Sequence, residues 1–319
     1  IMKNISLLFV TFFFAQCTSI NDDIGYTFDV KEQLFLERIE YPELLGNPMQ
    51  IFCVDSVLLI NDFYGDSLVH VYNLKTQKVE RKLIRKGIGP NELLPPLELQ
   101  LSGDKLWIYS RPLHSMTQML LSEFNDGGTL VKKGVLDGKA DCFVPISGEN
   151  LIFSGLWDKR YAFFNVSEGS LIEFGEYPDL WYQEEDFSSI VKAMFHQSRF
   201  TVNTKREKFA SCSYFVLELF DYNSKTSNIP ELKLRKQLGA YEYDYIDTDV
   251  VETRMRENCG LASVDVVAGE EYLYVLTQDA ANKKNRNIMV LDWDGNPVKL
   301  LTFGKRIICF SMDEERGMG

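Results

Sequence analysis

Residues 97–110 read LELQLSGDKLWIYS. An apolar stretch alternates with polar residues, stops at Ser-Gly-Asp-Lys, and resumes as Leu-Trp-Ile-Tyr. Period-two alternation broken by a Gly-Asp turn is the signal of a β-hairpin. The same order recurs along the chain. It appears as CFVPISGENLIFSG (142–155), SRFTVNTKREKFASC (198–212) and ASVDVVAGEEYLYVLTQ (262–278), and it begins again at IICFSMDEERG (307–317). A third strand follows each hairpin and runs into a polar turn, as in VYNLKTQK, FNVSEGS, LFDYNSKT and LDWDGNP; an outer strand follows that.

This is an internal repeat of about 45–60 residues with four strands per unit. One four-stranded sheet cannot bury both its faces, whereas sheets stacked radially about an axis can. A sandwich needs seven to nine strands, and this chain has about 22. The expected fold is all-β, a six-bladed β-propeller of four-stranded antiparallel blades. Five groups are complete. The sixth starts at residue 307, and the polar turn DEERG is followed by Gly-Met-Gly instead of an apolar strand, so the last blade is expected to be incomplete at the C-terminus. The segment KEQLFLERIEYP, 31–42, has no group of its own and is expected to join that last blade as its outer strand. Helical patterns are scarce; EEDFSSIVKAMF, 184–195, reads as a short connecting helix.

The N-terminus carries an address. Met2-Lys3-Asn4 is followed by the apolar run ISLLFVTFFFA, residues 5–15, then by Gln16, Cys17 and polar sequence. Such a run is too short to span a bilayer, which takes about 20 residues, and has the form of an export signal. Phe14-Ala15-Gln16-Cys17 resembles a bacterial lipoprotein box. The resemblance implies cleavage before Cys17 and lipidation of its sulfur and amino group, which is enough for stable anchoring. The chain then divides into a signal peptide (1–16), a tether (17–27) and a propeller domain (28–319). Thr18 after the cysteine favours the outer membrane. Ile1 before the methionine is unlike a natural start.

Net charge is -12, from 46 acidic and 34 basic residues. That sign disfavours nucleic acid and anionic lipid surfaces as partners. Beyond Cys17, the cysteines 53, 142, 212, 259 and 309 are too far apart for a zinc knuckle or a redox pair. Cys53, Cys142 and Cys309 sit next to phenylalanine and read as buried small residues.

Between the first and second groups lies IRKGIGPNELLPP, 84–96. Its glycines suggest a phosphate loop, but Pro90 removes a backbone donor and LLPP bars a following helix. It reads as a structural turn. Gly87 and Gly89 are expected to supply unusual backbone angles and Pro90 to stiffen the crossing. Asn91 is expected in a left-handed conformation and Glu92 as an acceptor of backbone hydrogen bonds.

With these features quoted, the chain resembles the TolB-like or NHL-like six-bladed propeller lipoproteins of Bacteroidota. KGIGPNELLPP is similar to that family's Gly-x-Gly-Pro-Gly-Glu joint, with Asn91 in place of the third glycine. VLDWDGNPVKLLTF, 290–303, is similar to its penultimate hairpin. The resemblance implies a fold and an envelope location and no reaction.

Histidines 70, 114 and 196 fall in separate groups. The insertion YEYDYIDTDVVETRMRENCG, 241–260, holds five carboxylates; Asp244, Asp247 and Asp249 give a weak calcium alternative without the spacing of a calcium loop. Its Tyr241, Tyr243 and Tyr245, with Trp157 and Trp181, are a candidate recognition surface, weighed against ordinary packing between blades. No cofactor is expected. The expected function is a binding or scaffold lipoprotein that recognises a protein, peptide or glycan. The alternative is a propeller hydrolase or lyase with its site at the central channel.

Overall fold

The computed structural model describes residues 25–39, 41–178, 187–226, 228–239, 242–247, 250–254, 260–279, 286–312 and 314; at 125, 126, 242–247 and 250–254 the backbone alone is described. A short strand β1 (Lys31–Gln33) precedes the first blade, which comprises β2 (Pro48–Val54), β3 (Val57–Asp62), β4 (Ser67–Asn73) and β5 (Lys78–Lys86) with a two-residue strand β6 (Glu92–Leu93) on its outer edge. Blade two is β7 (Leu97–Ser102), β8 (Lys105–Ser110), β9 (Ser115–Leu120) and β10 (Val131–Val135). Blade three is β11 (Ala140–Pro145), β12 (Asn150–Gly155), β13 (Tyr161–Asn165) and β14 (Ser170–Phe174), followed by helix α1 (Ser189–Phe195). Blade four is β15 (Arg199–Asn203), β16 (Lys208–Ser213), β17 (Val216–Asp221) and β18 (Glu231–Gln237). After a hairpin of β19 (Glu242–Asp247) and β20 (Val250–Arg254), blade five is β21 (Leu261–Ala268), β22 (Tyr272–Asp279), β23 (Arg286–Asp292) and β24 (Pro297–Thr302).

Each blade is antiparallel from its first strand outward, with register set by the hairpin turns, as in Leu101↔Leu106 and Ser102↔Lys105 across Gly103-Asp104. Alternate residues of a strand face opposite sides of the sheet, so each blade has two apolar faces. Successive faces pack on one another. Leu59, Leu68 and Val71 of blade one meet Leu99, Leu106 and Ile108 of blade two. Trp107 and Tyr109 meet Phe143 and Phe153. Phe163 and Tyr161 meet Phe209 and Phe220, whose rings stack at 4.6 Å. Leu217 and Leu219 meet Val275 and Met289. The first strands line a common axis, and Gln100 Nε2 of β7 donates across it to the Phe200 carbonyl of β15 (3.2 Å).

The fold is thus an all-β propeller with five four-stranded blades; among the described residues the one further sheet is the two-stranded β19–β20 hairpin, and no sixth four-stranded sheet is present. The space between blades five and one is bordered by two other segments. On the axial side run residues 307–312. Phe310 N donates to Asp265 Oδ2 of blade five (3.4 Å), and Ser311 Oγ accepts from Cys53 N of blade one (2.9 Å). The otherwise bare face of blade five, including Tyr274, Leu276, Val290 and Leu301, is covered by Phe310 together with Leu34, Ile307 and Met312. On the rim, Tyr41 covers blade one, its hydroxyl bonded to His70 Nδ1 (2.7 Å) and its ring 5.4 Å from that of Tyr72.

Several expectations change. The N-terminal strand is three residues long, not 31–42. It pairs parallel to β24 of blade five, Lys31↔Leu300, and so extends the fifth sheet instead of starting a sixth. The backbone after β9 leaves the strand at Leu121 for a short 3-10 helix, Leu121–Asp126. The connecting helix begins at Ser189, N-capped by Ser188, while 184–186 lie outside the described residues. The insertion after blade four contains a hairpin, Tyr243↔Thr253 and Asp244↔Glu252.

Candidate functional site: the axial ring and its mouth

Each blade contributes one side chain near the start of its first strand to a layer around the axis: Gln50, Glu98, Cys142, Arg199 and Asp265. These strands form the inner edge of their sheets, so a side chain turned off the sheet there meets the axis and no neighbouring strand. Glu98 is the hub. It is 1% exposed and receives Arg199 Nη1 on both oxygens (3.2 and 3.0 Å) and Gln50 Nε2 on Oε1 (3.0 Å). Gln50 is held in turn, its Oε1 accepting from Leu99 N (3.0 Å) and Asn61 Nδ2 (2.9 Å). The Glu98 carboxylate raises the Arg199 pKa, so the guanidinium is fixed in its charged form.

Cys142 closes the layer on the blade-three side. Its Sγ lies 3.7 Å from Arg199 Nη1 and 3.6 Å from Arg111 Nη2, and it points toward Asp141 Oδ2 at 3.8 Å. Burial, with Glu98 adding to it, pushes the thiol well above its ordinary pKa. It stays protonated, unlike a nucleophilic cysteine. Arg111, in the turn between β8 and β9, forms a 2.6 Å ion pair with Asp141. Its buried Nε has no partner among the described residues. Asp265 accepts from Val266 N (3.0 Å) and Phe310 N (3.4 Å), and burial pushes its carboxyl up to about 7 against the pull of Arg199.

Two cavities meet at this layer. The inner one, about 180 Å³, runs along the axis past Gln100, Thr201 and Ser311. The outer one, about 370 Å³, is the mouth on the side where the first strands begin. Its floor is Arg111, Asp141, Cys142 and Arg199; Met194 and Phe195 of α1, with Val264, form an apolar wall. The wall is anchored from below by Arg160, 1% exposed, which donates to the His196 carbonyl and to Ser198 Oγ (2.9 Å) and pairs with buried Glu218 (3.2 Å). Burial and Arg160 depress His196 to about 2, so its ring is neutral. Among the described residues no three His, Cys, Asp or Glu side chains gather as a metal site. A third space, a cleft of about 980 Å³, opens between blades five and one and is lined by Leu34, Phe35, Tyr272, Tyr274, Lys299 and Glu314 among others.

The expected recognition surface is redistributed. Trp157 is 1% exposed and packs edge-on to Phe153 (6.5 Å) between blades two and three, so it is a packing residue and not part of a rim. Tyr243, Tyr245, Asp244 and Asp247 lie on β19. Cys17, Trp181, Tyr241 and Asp249 lie outside the described residues. In the turn at 84–96, Glu92 Oε2 accepts from Gly89 N (2.9 Å) and Asn91 has φ 58°, its side chain accepting from Leu130 N (3.0 Å). The glycines serve space, not backbone angle. A Cβ on Gly87 would lie 2.1 Å from Glu92 Oε2, and one on Gly89 2.9 Å, while neither has a positive φ.

Sequence reasoning did not find the ring. The first strands PMQIFCV, LELQLS, ADCFVP, RFTVN and LASVDVVA each carry two or three polar or sulfur-bearing residues, and no local pattern marks which of them meets the axis.

Comparison with known proteins agrees with the fold. The family model described as TolB-like 6-blade propeller-like matches residues 28–315. A search of curated proteins finds no match. Among solved structures, a DUF4221 family member from Bacteroides vulgatus is 10% identical, with 82% of each chain covered and a TM-score of 0.51. A protein of Bacteroides fragilis described as exported is 14% identical, with 82% of this chain and 76% of that one covered and a TM-score of 0.48. No described helix is long and apolar enough to cross a membrane.

Proposed function

The chain belongs to the TolB-like 6-blade propeller-like family, and from that premise we propose that it is an envelope-anchored binding lipoprotein that engages a protein, peptide or glycan through the mouth of its axis. The observation that carries this reading is the mouth pocket. At about 370 Å³ it falls within the roughly 300–1,000 Å³ range of ligand sites, and it joins an apolar wall to a few convergent polar groups. At the mouth the Cys142 thiol is held protonated, which suits recognition better than nucleophilic attack. Lipidation of Cys17 would hold the domain at the membrane through a short tether, on the outer membrane in this reading.

In this reading the ring has six sectors. Residues 307–312 take the axial position of a sixth blade, bonded to blade five on one side and blade one on the other.

The test uses the purified chain immobilised on beads and exposed to outer-membrane extract, beside a Met194→Trp variant that adds bulk at an exposed position on the wall of the mouth. Specific retention that the variant loses is expected. Equal retention by both, or none by either, would overturn the proposal. Labelling of wild type but not Cys17→Ser with a fatty-acid analogue in cells checks the anchor.

A further inference from the structure

Resting on the reading of the mouth as a binding site, we propose that its ligand is the free C-terminal carboxylate of a peptide ending in an apolar residue. The two ion pairs at the mouth are oriented alike. In Arg111–Asp141 the arginine side chain is 34% exposed and the carboxylate 14%; in Arg199–Glu98 the figures are 32% and 1%. Glu98 is set back into the protein, Asp141 lines the floor but is less exposed than its partner Arg111, and both arginines line the cavity. The mouth is therefore a positive spot on a chain of net charge -12. A cleft with low-dielectric walls focuses that field.

Both guanidinium groups approach the Cys142 sulfur, within 3.7 Å, so one anionic group seated above the uncharged thiol can reach both. Planar guanidinium matches a carboxylate with two parallel bonds. Arg111 has capacity for such a partner, because Asp141 takes Nη1 while Nη2 has the weakly accepting Cys142 sulfur at 3.6 Å. The wall supplies the second half of the specificity. Met194, 62% exposed, and Val264 offer apolar surface beside the charges, and methionine adapts its shape to different side chains. A free phosphate or a sugar acid would use the arginines and leave that wall wet. A peptide with an apolar last residue uses both.

The experiment is calorimetric titration of the whole chain with N-acetyl-alanyl-leucine, its C-terminal amide, N-acetyl-alanyl-glycine, glucuronate and inorganic phosphate. The leucine acid is expected to bind, and the amide and the glycine acid each about tenfold or more weakly, since a charge-assisted pair or an apolar contact is lost. Arg111→Gln should weaken the leucine acid about tenfold. Asp141→Asn, which removes the internal competitor, should tighten it severalfold, an outcome that a damaged fold cannot produce. Met194→Ala, an exposed change, should erase the preference for leucine over glycine. Equal binding of acid and amide, phosphate or glucuronate binding as well as the leucine acid, or Asp141→Asn weakening the complex would overturn the inference. If extract retention depends on an open mouth while none of these probes binds, the binding reading stands and the carboxylate inference falls.

Discussion

Asp265 sits on the axis, held by two backbone amides, and burial pushes its carboxyl from 3.8 up to about 7. The groups facing it are Arg199, which favours its charge, and Glu98, which opposes it. Between those two pH values the folded chain keeps a proton that the unfolded chain releases. Stability from this group is therefore fully present below about 4 and is lost as pH rises through about 7. Asp265→Asn removes the titration and keeps one of the two amide bonds, since its Nδ2 cannot accept the other. The melting temperature of the variant should fall less between pH 4 and 7 than that of wild type; parallel profiles would contradict the assignment. The joint at 87–92 gives a second residue-scale test. Gly87→Ala drives its new methyl into Glu92 Oε2, and Glu92→Ala removes that oxygen, so both lose the same bond to Gly89 N. Each should cost about 1 kcal/mol in urea unfolding, and the double variant should cost about as much as either alone.

Trp157 shows how an element decides the meaning of a residue. It follows β12, and its ring fills the space between blades two and three against Phe153. Trp157→Ala should cost about 3–5 kcal/mol by denaturant titration, the range for deleting a buried aromatic, and leave mouth binding unchanged in the fraction that stays folded. From sequence, the residue could equally line a groove, because a tryptophan after a strand carries no mark of which way it turns. The blades themselves were legible, since alternation and Gly-Asp turns are local and each blade is built from consecutive hairpins. What local pattern does not encode is the meeting of strands distant in the chain. Glu98 and Arg199 are 101 residues apart, and Phe310 reaches Asp265 across 45. The parallel pairing of β1 with β24 is of the same kind: three polar residues, Lys-Glu-Gln, form a strand because the edge of blade five offers them a ladder. At the joint, the turn was legible while the role of its glycines was not, because the carboxylate that needs their space reaches back from Glu92.

At the scale of the whole molecule, four interfaces between blades are sheet against sheet, and the fifth is not. Blade five turns an apolar face toward blade one, and Phe310, 6% exposed, is the large side chain of the 307–312 segment buried against it. That segment is bonded to both flanking blades at the axis, through Asp265 and Cys53. If it closes the ring, then Phe310 should behave as a core residue although it lies outside every strand. Phe310→Ala should cost about 3–5 kcal/mol, the full cavity value. Phe35, which lines the open cleft between blades five and one and is 90% exposed, should cost less than about 0.5 kcal/mol when changed to alanine. The two substitutions remove the same atoms, so their difference isolates closure from the chemistry of the side chain. Hydrogen exchange adds the spatial readout. In Phe310→Ala the amides of Cys53 and Val266, which bond to Ser311 Oγ and Asp265, should exchange faster than in wild type, while those of β8 and β12, at the far interfaces, should keep their protection. Uniform loss of protection would mean that the blades unfold as one unit and that no separate closure exists.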